Sequence, residues 1–134
     1  MRILIADDDK AFAEYLTALV WACEHEVVAT VTGGGVPVLQ AYALHSPDLV
    51  LLDVMMPRLN GFTICQQLTS RHPNAKVILM SGLVAGDYPS IKTCKASGFL
   101  PKPITYDGLR ATLDKTILNG GLSEKPASGL FKAA

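Results

Sequence analysis

No apolar run in the sequence approaches the ~20 residues needed to cross a bilayer, so no membrane span is expected. Charge of one sign is not in excess either. Twelve basic and twelve acidic residues cancel, and a neutral domain lacks the electrostatic footprint of a nucleic-acid binder. Direct DNA binding by this chain is therefore not expected. Cysteine is scarce: Cys23, Cys65 and Cys94 are odd in number and far apart, as reduced, buried thiols are. His25, His45 and His72 are just as scattered, which argues against a zinc site. No secretory leader is recognisable, because Met1-Arg2 and a short apolar run give way at once to three aspartates. The cytoplasm is the expected location.

What is present suits one compact domain. A chain of 134 residues can bury about two-thirds of its unfolded surface, enough for a core without staples. Apolar runs alternate with helical patterns throughout. Ile3 to Ala6 is continuous apolar sequence, as a strand buried on both faces should be. From Lys10 to Cys23, residues Phe12, Leu16, Leu19, Val20 and Cys23 share one helix face, and Asp9 suits the N-cap. Val27 to Val31 reads as a second strand, broken by Gly33-Gly34-Gly35, with Pro37 in the first turn of a helix running to about His45. Leu49 to Leu52 is a third strand that delivers Asp53. Asn60-Gly61 caps a helix carrying Ile64, Cys65 and Leu68.

Val77 to Met80 forms a fourth strand ending at Ser81-Gly82. A short helix is expected near Pro89 to Ala96, capped by Gly98. Phe99-Leu100-Pro101 is a fifth strand and, because proline is tolerated at a sheet edge, an edge strand. The last helix runs from about Tyr106 to Leu118, with Thr105 as N-cap and Gly120 closing it. Strand and helix alternate five times, which predicts a parallel sheet with helices on both faces. Right-handed crossovers favour the flavodoxin-like order 2-1-3-4-5. The tail, rich in Gly, Ser, Ala, Pro and Lys, is expected to be flexible or to begin a linker, giving a folded unit over 1–118 and a tail over 119–134. Tyr15, Trp21 and Tyr42 are expected to pack, and the Met55-Met56 pair to be half-buried.

The polar residues fall where the strands end: Asp7-Asp8-Asp9 after the first, Asp53 after the third, Ser81 after the fourth, Lys102 after the fifth. In an open α/β sheet ligands bind at the carboxyl ends of the strands, beside the switch point between the first and third. Crowded carboxylates raise one another's pKa or share a cation. All the donors are hard oxygens, which points to Mg²⁺ or Mn²⁺.

The sequence Ile-Ala-Asp7-Asp8-Asp9, then Leu-Leu-Asp53-Val-Met-Met-Pro57 with Gly61 following, then Met-Ser81-Gly82, then Leu-Pro-Lys102-Pro103, resembles the receiver domains of bacterial two-component response regulators. The resemblance covers about residues 1–118. It implies that Asp53 is the phosphoacceptor for a phosphohistidine on a sensor histidine kinase or a His-phosphotransfer protein. It implies that Asp7, Asp8, Asp53 and the backbone carbonyl of Met55 hold Mg²⁺ (or Mn²⁺), with Asp8 the more direct of the acidic pair. Lys102 and Ser81 would bind phosphoryl oxygens. Phe99 matches the aromatic switch position, and Pro103 follows a bond that is cis in most relatives. The protein would then be no enzyme beyond catalysing its own phosphorylation and dephosphorylation. It would change the face made by the fourth helix, fifth strand and fifth helix, including Lys92, Lys95, Tyr106 and Arg110, where an output partner or a second copy would dock. Apolar Met55 and Leu83 lead to the expectation of a fairly long-lived phosphorylated form.

Two other functions share parts of this pattern. A Mg²⁺-dependent phosphatase of the haloacid-dehalogenase class also uses an aspartyl nucleophile, but needs a second Asp where this chain has Met55. A flavodoxin-like nucleotide- or flavin-binding module wants glycine or hydroxyl residues after the first strand, where Asp7 and Asp8 repel phosphate. Gly33 to Gly35 lacks the spacing and the lysine of a P-loop. No helix-turn-helix, cyclase or methylesterase pattern follows Leu118, so the chain is expected to be either a stand-alone regulator acting by contact or the receiver part of a longer protein.

Overall fold

In the computed structural model, residues 1–56, 60–82 and 94–120 are described. Five parallel strands, β1 (Arg2–Ala6), β2 (Glu26–Val31), β3 (Leu49–Asp53), β4 (Val77–Ser81) and β5 (Gly98–Pro101), form one sheet in the order β2-β1-β3-β4-β5. Four helices are described with it: α1 (Lys10–Ala22), α2 (Gly35–His45), α3 (Gly61–Arg71) and α4 (Tyr106–Gly120). The flavodoxin-like topology expected from the strand–helix alternation is the one observed.

The three central strands carry unbroken apolar runs, Ile3 to Ala6, Leu49 to Leu52 and Val77 to Met80, because both their faces are covered. Ile3, Ile5, Leu49, Leu51, Ile78, Met80 and Leu100 point to one side, where α1 and α4 supply Ala13, Leu16, Val20, Leu109 and Leu113. Leu4, Ala6, Val50, Leu52, Val77 and Leu79 point to the other, against Val38 of α2 and Ile64, Cys65 and Leu68 of α3. The alternation is the two-residue period of a strand. Each buried leucine or isoleucine stabilises the fold by roughly 1.5–3 kcal/mol through removal of apolar area from water. β2 and β5 are the partly exposed edges, and Pro101 is exposed at the end of β5. Cys23, Cys65 and Cys94 are buried, and none of them forms a disulfide among the described residues. Burial and the neighbouring Cys94 push the Cys65 thiol up, so it stays protonated.

Short polar residues start three of the helices. The carboxylate of Asp9 accepts from Phe12 N at 3.1 Å, Asn60 Oδ1 from Thr63 N at 3.0 Å, and Thr105 Oγ1 from Gly108 N at 3.0 Å. Each satisfies a backbone donor that has no partner within its helix. α2 has no side-chain cap. Its N-cap is Gly34 at φ 100°, a conformation that glycine adopts without strain.

Several expectations need correction. Trp21 is 74% exposed and Tyr15 48% exposed. Trp21 follows Val20 by one residue, and a 100° step turns it from the core-facing stripe to the outer face of α1. Tyr42 does pack, with its ring 4.6 Å from His72. The methionine pair divides: Met55 is 63% exposed while Met56 is 6% exposed. α4 continues to Gly120, two residues past the expected end at Leu118. Gly98 is the first residue of β5, and the left-handed conformation before that strand is taken by Lys95 at φ 63°. The helix expected near Pro89 to Ala96 lies mostly outside the described residues, as do Pro57, Leu83, Lys92 and the tail from 121. Among the described residues, no helix is long and apolar enough to cross a membrane.

Candidate functional site

The carboxyl ends of β1, β3, β4 and β5 meet at one end of the sheet. Backbone hydrogen bonds continue the ladder just past the strands and fix these tips: Asp7 N donates to Val31 O (3.0 Å), Val54 N to Met80 O (2.9 Å) and Lys102 N to Ser81 O (2.7 Å).

Asp7 is 1% exposed and Asp53 is 4% exposed. Lys102 serves both. Its Nζ lies 3.1 Å from Asp7 Oδ2 and 3.5 Å from Asp53 Oδ1. Asp7 Oδ1 also accepts from Asp9 N at 2.8 Å, and Asp53 Oδ1 from Met55 N at 3.2 Å. Both contacts that the Asp53 carboxylate makes among the described residues therefore go to Oδ1. Two buried carboxylates thus face one ammonium. Burial raises the Asp53 carboxyl above the ordinary carboxylate value, and the charge of Asp7 raises it further. Lys102 and the Met55 N–H pull it partly back.

Asp8 is exposed on the loop that follows β1. Among the described residues, no three His, Cys, Asp or Glu side chains are grouped closely enough to hold a metal ion by themselves. The expected acidic cluster is thus a buried pair, Asp7 and Asp53, with Asp8 at its rim. The donor set still suits a hard dication. Every group is an oxygen, the buried pair carries more negative charge than Lys102 neutralises, and one oxygen of Asp53 accepts no described bond. Mg²⁺ keeps several waters and takes only one or two carboxylates, so it does not need a closed protein cage.

Ser81 is fully buried at the end of β4, one residue beyond the register partner of Asp53. The Lys102–Pro103 bond is cis. Met55 donates its N–H to Asp53 and leaves its side chain in solvent. Phe99 is partly buried, packed on the α2–α3 side of the sheet.

Sequence reasoning noted Phe12, Tyr15 and Gly61 but missed the contacts that tie them to the site. The Phe12 ring lies under Lys102, with Nζ 4.2 Å from its centroid. Tyr15 OH donates to the carbonyl of Ile104 at 2.7 Å. Gly61 approaches the backbone of Asp53 so closely that a Cβ there would lie 2.5 Å from the Asp53 carbonyl oxygen. Phe12 carried a usable signal, since an aromatic in the first turn of a helix that starts at the acidic loop sits near the strand tips. The roles of Tyr15 and Gly61 depend on contacts across the fold that spacing does not encode.

Residues 3–114 match the family model described as the response regulator receiver domain. The chain is 33% identical over 132 residues to the response regulator MprA of Mycobacterium sp. (strain KMS), with 96% of this chain and 55% of that protein covered. It thus spans about half the length of the curated relatives it matches. The signal receiver domain of a DNA-binding response regulator (merR) from Colwellia psychrerythraea 34H superposes with a TM-score of 0.77 at 28% identity, over 88% of this chain and 98% of that one. A LuxR-family two-component response regulator from Aurantimonas sp. SI85-9A1 shares the fold with a TM-score of 0.82 at 18% identity, over 88% of this chain and 85% of that one.

Proposed function

The chain belongs to the response regulator receiver domain family, and from that premise we propose that it is a phosphorylation-controlled switch whose phosphoacceptor is Asp53. The observation that carries this is the shared ammonium: Lys102 reaches both buried carboxylates at the tips of β1 and β3. A buried Asp53 whose charge is only partly balanced is suited to receive a group that brings its own cation and hydrogen-bond partners.

An oxygen of Asp53 attacks the phosphorus of a phosphohistidine on a sensor histidine kinase or His-phosphotransfer protein. The phosphorus–nitrogen bond breaks, the imidazole keeps the electron pair and gains a proton, and an acyl phosphate remains on Asp53. Asp7, Asp8, Asp53 and the carbonyl of Met55 would hold Mg²⁺ (or Mn²⁺), which when bound supplies neutralisation of the phosphoryl charge. Lys102 binds a phosphoryl oxygen as a point charge, already oriented by Asp7. Ser81 donates its hydroxyl to a second oxygen. The domain catalyses its own phosphorylation and the hydrolysis that ends it, and acts on no separate substrate.

The phosphoryl group adds roughly two negative charges beside Ser81. Movement of Ser81 toward it opens space for Phe99 to turn inward, which changes the surface formed by Lys95, β5 and the start of α4 with Tyr106 and Arg110. An output partner, or a second copy, reads that surface in the cytoplasm.

Incubation with Mg²⁺ and acetyl phosphate, followed by intact-mass measurement, tests this. One added phosphoryl group in the wild type and none in Asp53→Asn is the expected result. Continuous release of phosphate with turnover would instead indicate a phosphatase. Bound nucleotide or flavin without an adduct would indicate a flavodoxin-like binding module.

A further inference from the structure

Lys102 is held on a side that charge does not explain. Its Nζ meets Asp7 Oδ2 at 3.1 Å, Asp53 Oδ1 at 3.5 Å, and the face of the Phe12 ring at 4.2 Å from the centroid. The Phe12 ring in turn lies 6.0 Å from that of Tyr15, tilted by 42°. Tyr15 OH donates to the carbonyl of Ile104, two residues beyond Lys102. The segment Lys102-Pro103-Ile104 is thus gripped twice by α1, through its cation and through its backbone. The circuit closes on the acidic loop: Asp7 Oδ1 accepts from Asp9 N, and the Asp9 carboxylate accepts from Phe12 N.

A lysine stem is flexible, and holding its ammonium in one place costs rotamer entropy. The Lys102 side chain is 25% exposed, so solvent is a competing position for the charge. An aromatic face attracts the cation without neutralising it, which leaves its charge available to the phosphoryl oxygens. A carboxylate in the same place would cancel it.

We propose that Phe12, braced by Tyr15, is a positioning residue that holds the Lys102 ammonium over the buried carboxylate pair for phosphoryl transfer. This rests on the phosphoacceptor reading of Asp53. α1 thereby takes part in setting how readily the domain is phosphorylated.

The test is the initial rate of phosphoryl uptake from acetyl phosphate with Mg²⁺, read by intact mass, with thermal midpoints recorded alongside. Phe12→Leu keeps apolar bulk but loses the ring, and is expected to slow uptake about three- to tenfold. Phe12→Trp restores a ring face and recovers most of the rate. In a Lys102→Ala background, Phe12→Leu causes no further slowing, because the two changes remove the same interaction. Wild-type rates in Phe12→Leu, or the same slowing with and without Lys102, would overturn the proposal. Should the wild type take up no phosphoryl group, the phosphoacceptor reading falls. The contact between the Phe12 ring and Lys102 is then judged by proton NMR of the Lys102 ε-methylene, expected upfield from the ring current in the wild type and not in Phe12→Leu. Equal positions in both would reject it.

Discussion

Gly61, the first residue of α3, lies against Asp53 at the tip of β3: a Cβ on Gly61 would sit 2.5 Å from the Asp53 carbonyl oxygen and 2.8 Å from Val54 Cα. Real Cβ atoms do not come that near a backbone. Gly61 N also donates to Val54 O at 2.8 Å, so the helix is docked on the strand tip by its own backbone. Gly61→Ala must push α3 or the strand tip away. Overpacking of this kind costs about 1–3 kcal/mol. Urea denaturation should show that loss, together with slower phosphoryl uptake. A variant within about 0.5 kcal/mol of the wild type, with an unchanged rate, would mean that the approach is slack.

Asp53→Asn removes a charge that the fold holds at a cost. The carboxyl of Asp53 is raised by burial and then by Asp7. A carboxyl with a folded pKa above its unfolded one destabilises the fold as pH rises through that interval, and the penalty is complete above the folded value. At neutral pH without divalent ions, Asp53→Asn should therefore melt higher than the wild type, and the difference should shrink toward acid. Mg²⁺ should reverse the order. At ten times its dissociation constant a ligand bound only by the folded form adds about 1.4 kcal/mol, and Asp53→Asn should gain less. Equal Mg²⁺ responses in the two proteins would remove Asp53 from the ion site.

His25 gives a pH dependence away from the site. Its pKa is lowered, first by burial and then by the charge of the Met1 amine, which lies 2.8 Å from Nδ1. The neutral ring accepts from that amine, whereas a protonated ring would face it with like charge. Because the folded pKa lies below the ordinary 6.5, the penalty is absent above that value and grows as pH falls through the interval beneath it. Thermal melts of wild type and His25→Gln between neutral and mildly acid pH should converge at the upper end, with the wild type losing more on acidification. Parallel profiles would show that His25 titrates as it does in the unfolded chain.

Trp21→Ala should change stability by no more than about 0.5 kcal/mol, the usual range for a surface substitution without special contacts. At 74% exposure the indole contributes little to the core. A loss above about 2 kcal/mol in chemical denaturation, the size of a core deletion, would contradict its surface position.

The central strands were legible because burial on both faces leaves an uninterrupted apolar run, as in Leu49 to Leu52. The edge position of β5 was legible from Pro101, and the helix starts from Asp9, Asn60 and Thr105. The meeting of Asp7, Asp53 and Lys102 followed from strand order alone, since each lies at the carboxyl end of a strand on the same end of the sheet. Less was legible where a single rotation decides the outcome. Trp21 and Val20 are adjacent in sequence and point to opposite environments. Asp8 adjoins Asp7, yet one is exposed and the other buried. Phe12 was visible as a packing residue, but its ring face toward Lys102 depends on how α1 sits against the segment after β5. The proximity of Gly61 to Asp53 arises from the docking of α3 and leaves no periodic trace in the sequence.

Site mapping of the phosphorylated chain bears most directly on the central claim. Treatment with Mg²⁺ and acetyl phosphate, reduction with borohydride and tandem mass spectrometry of the digest should find homoserine in place of Asp53, the product of reducing an acyl phosphate there. Reduction at Asp7, Asp8 or another residue, or at none, would contradict the assignment of Asp53 as phosphoacceptor.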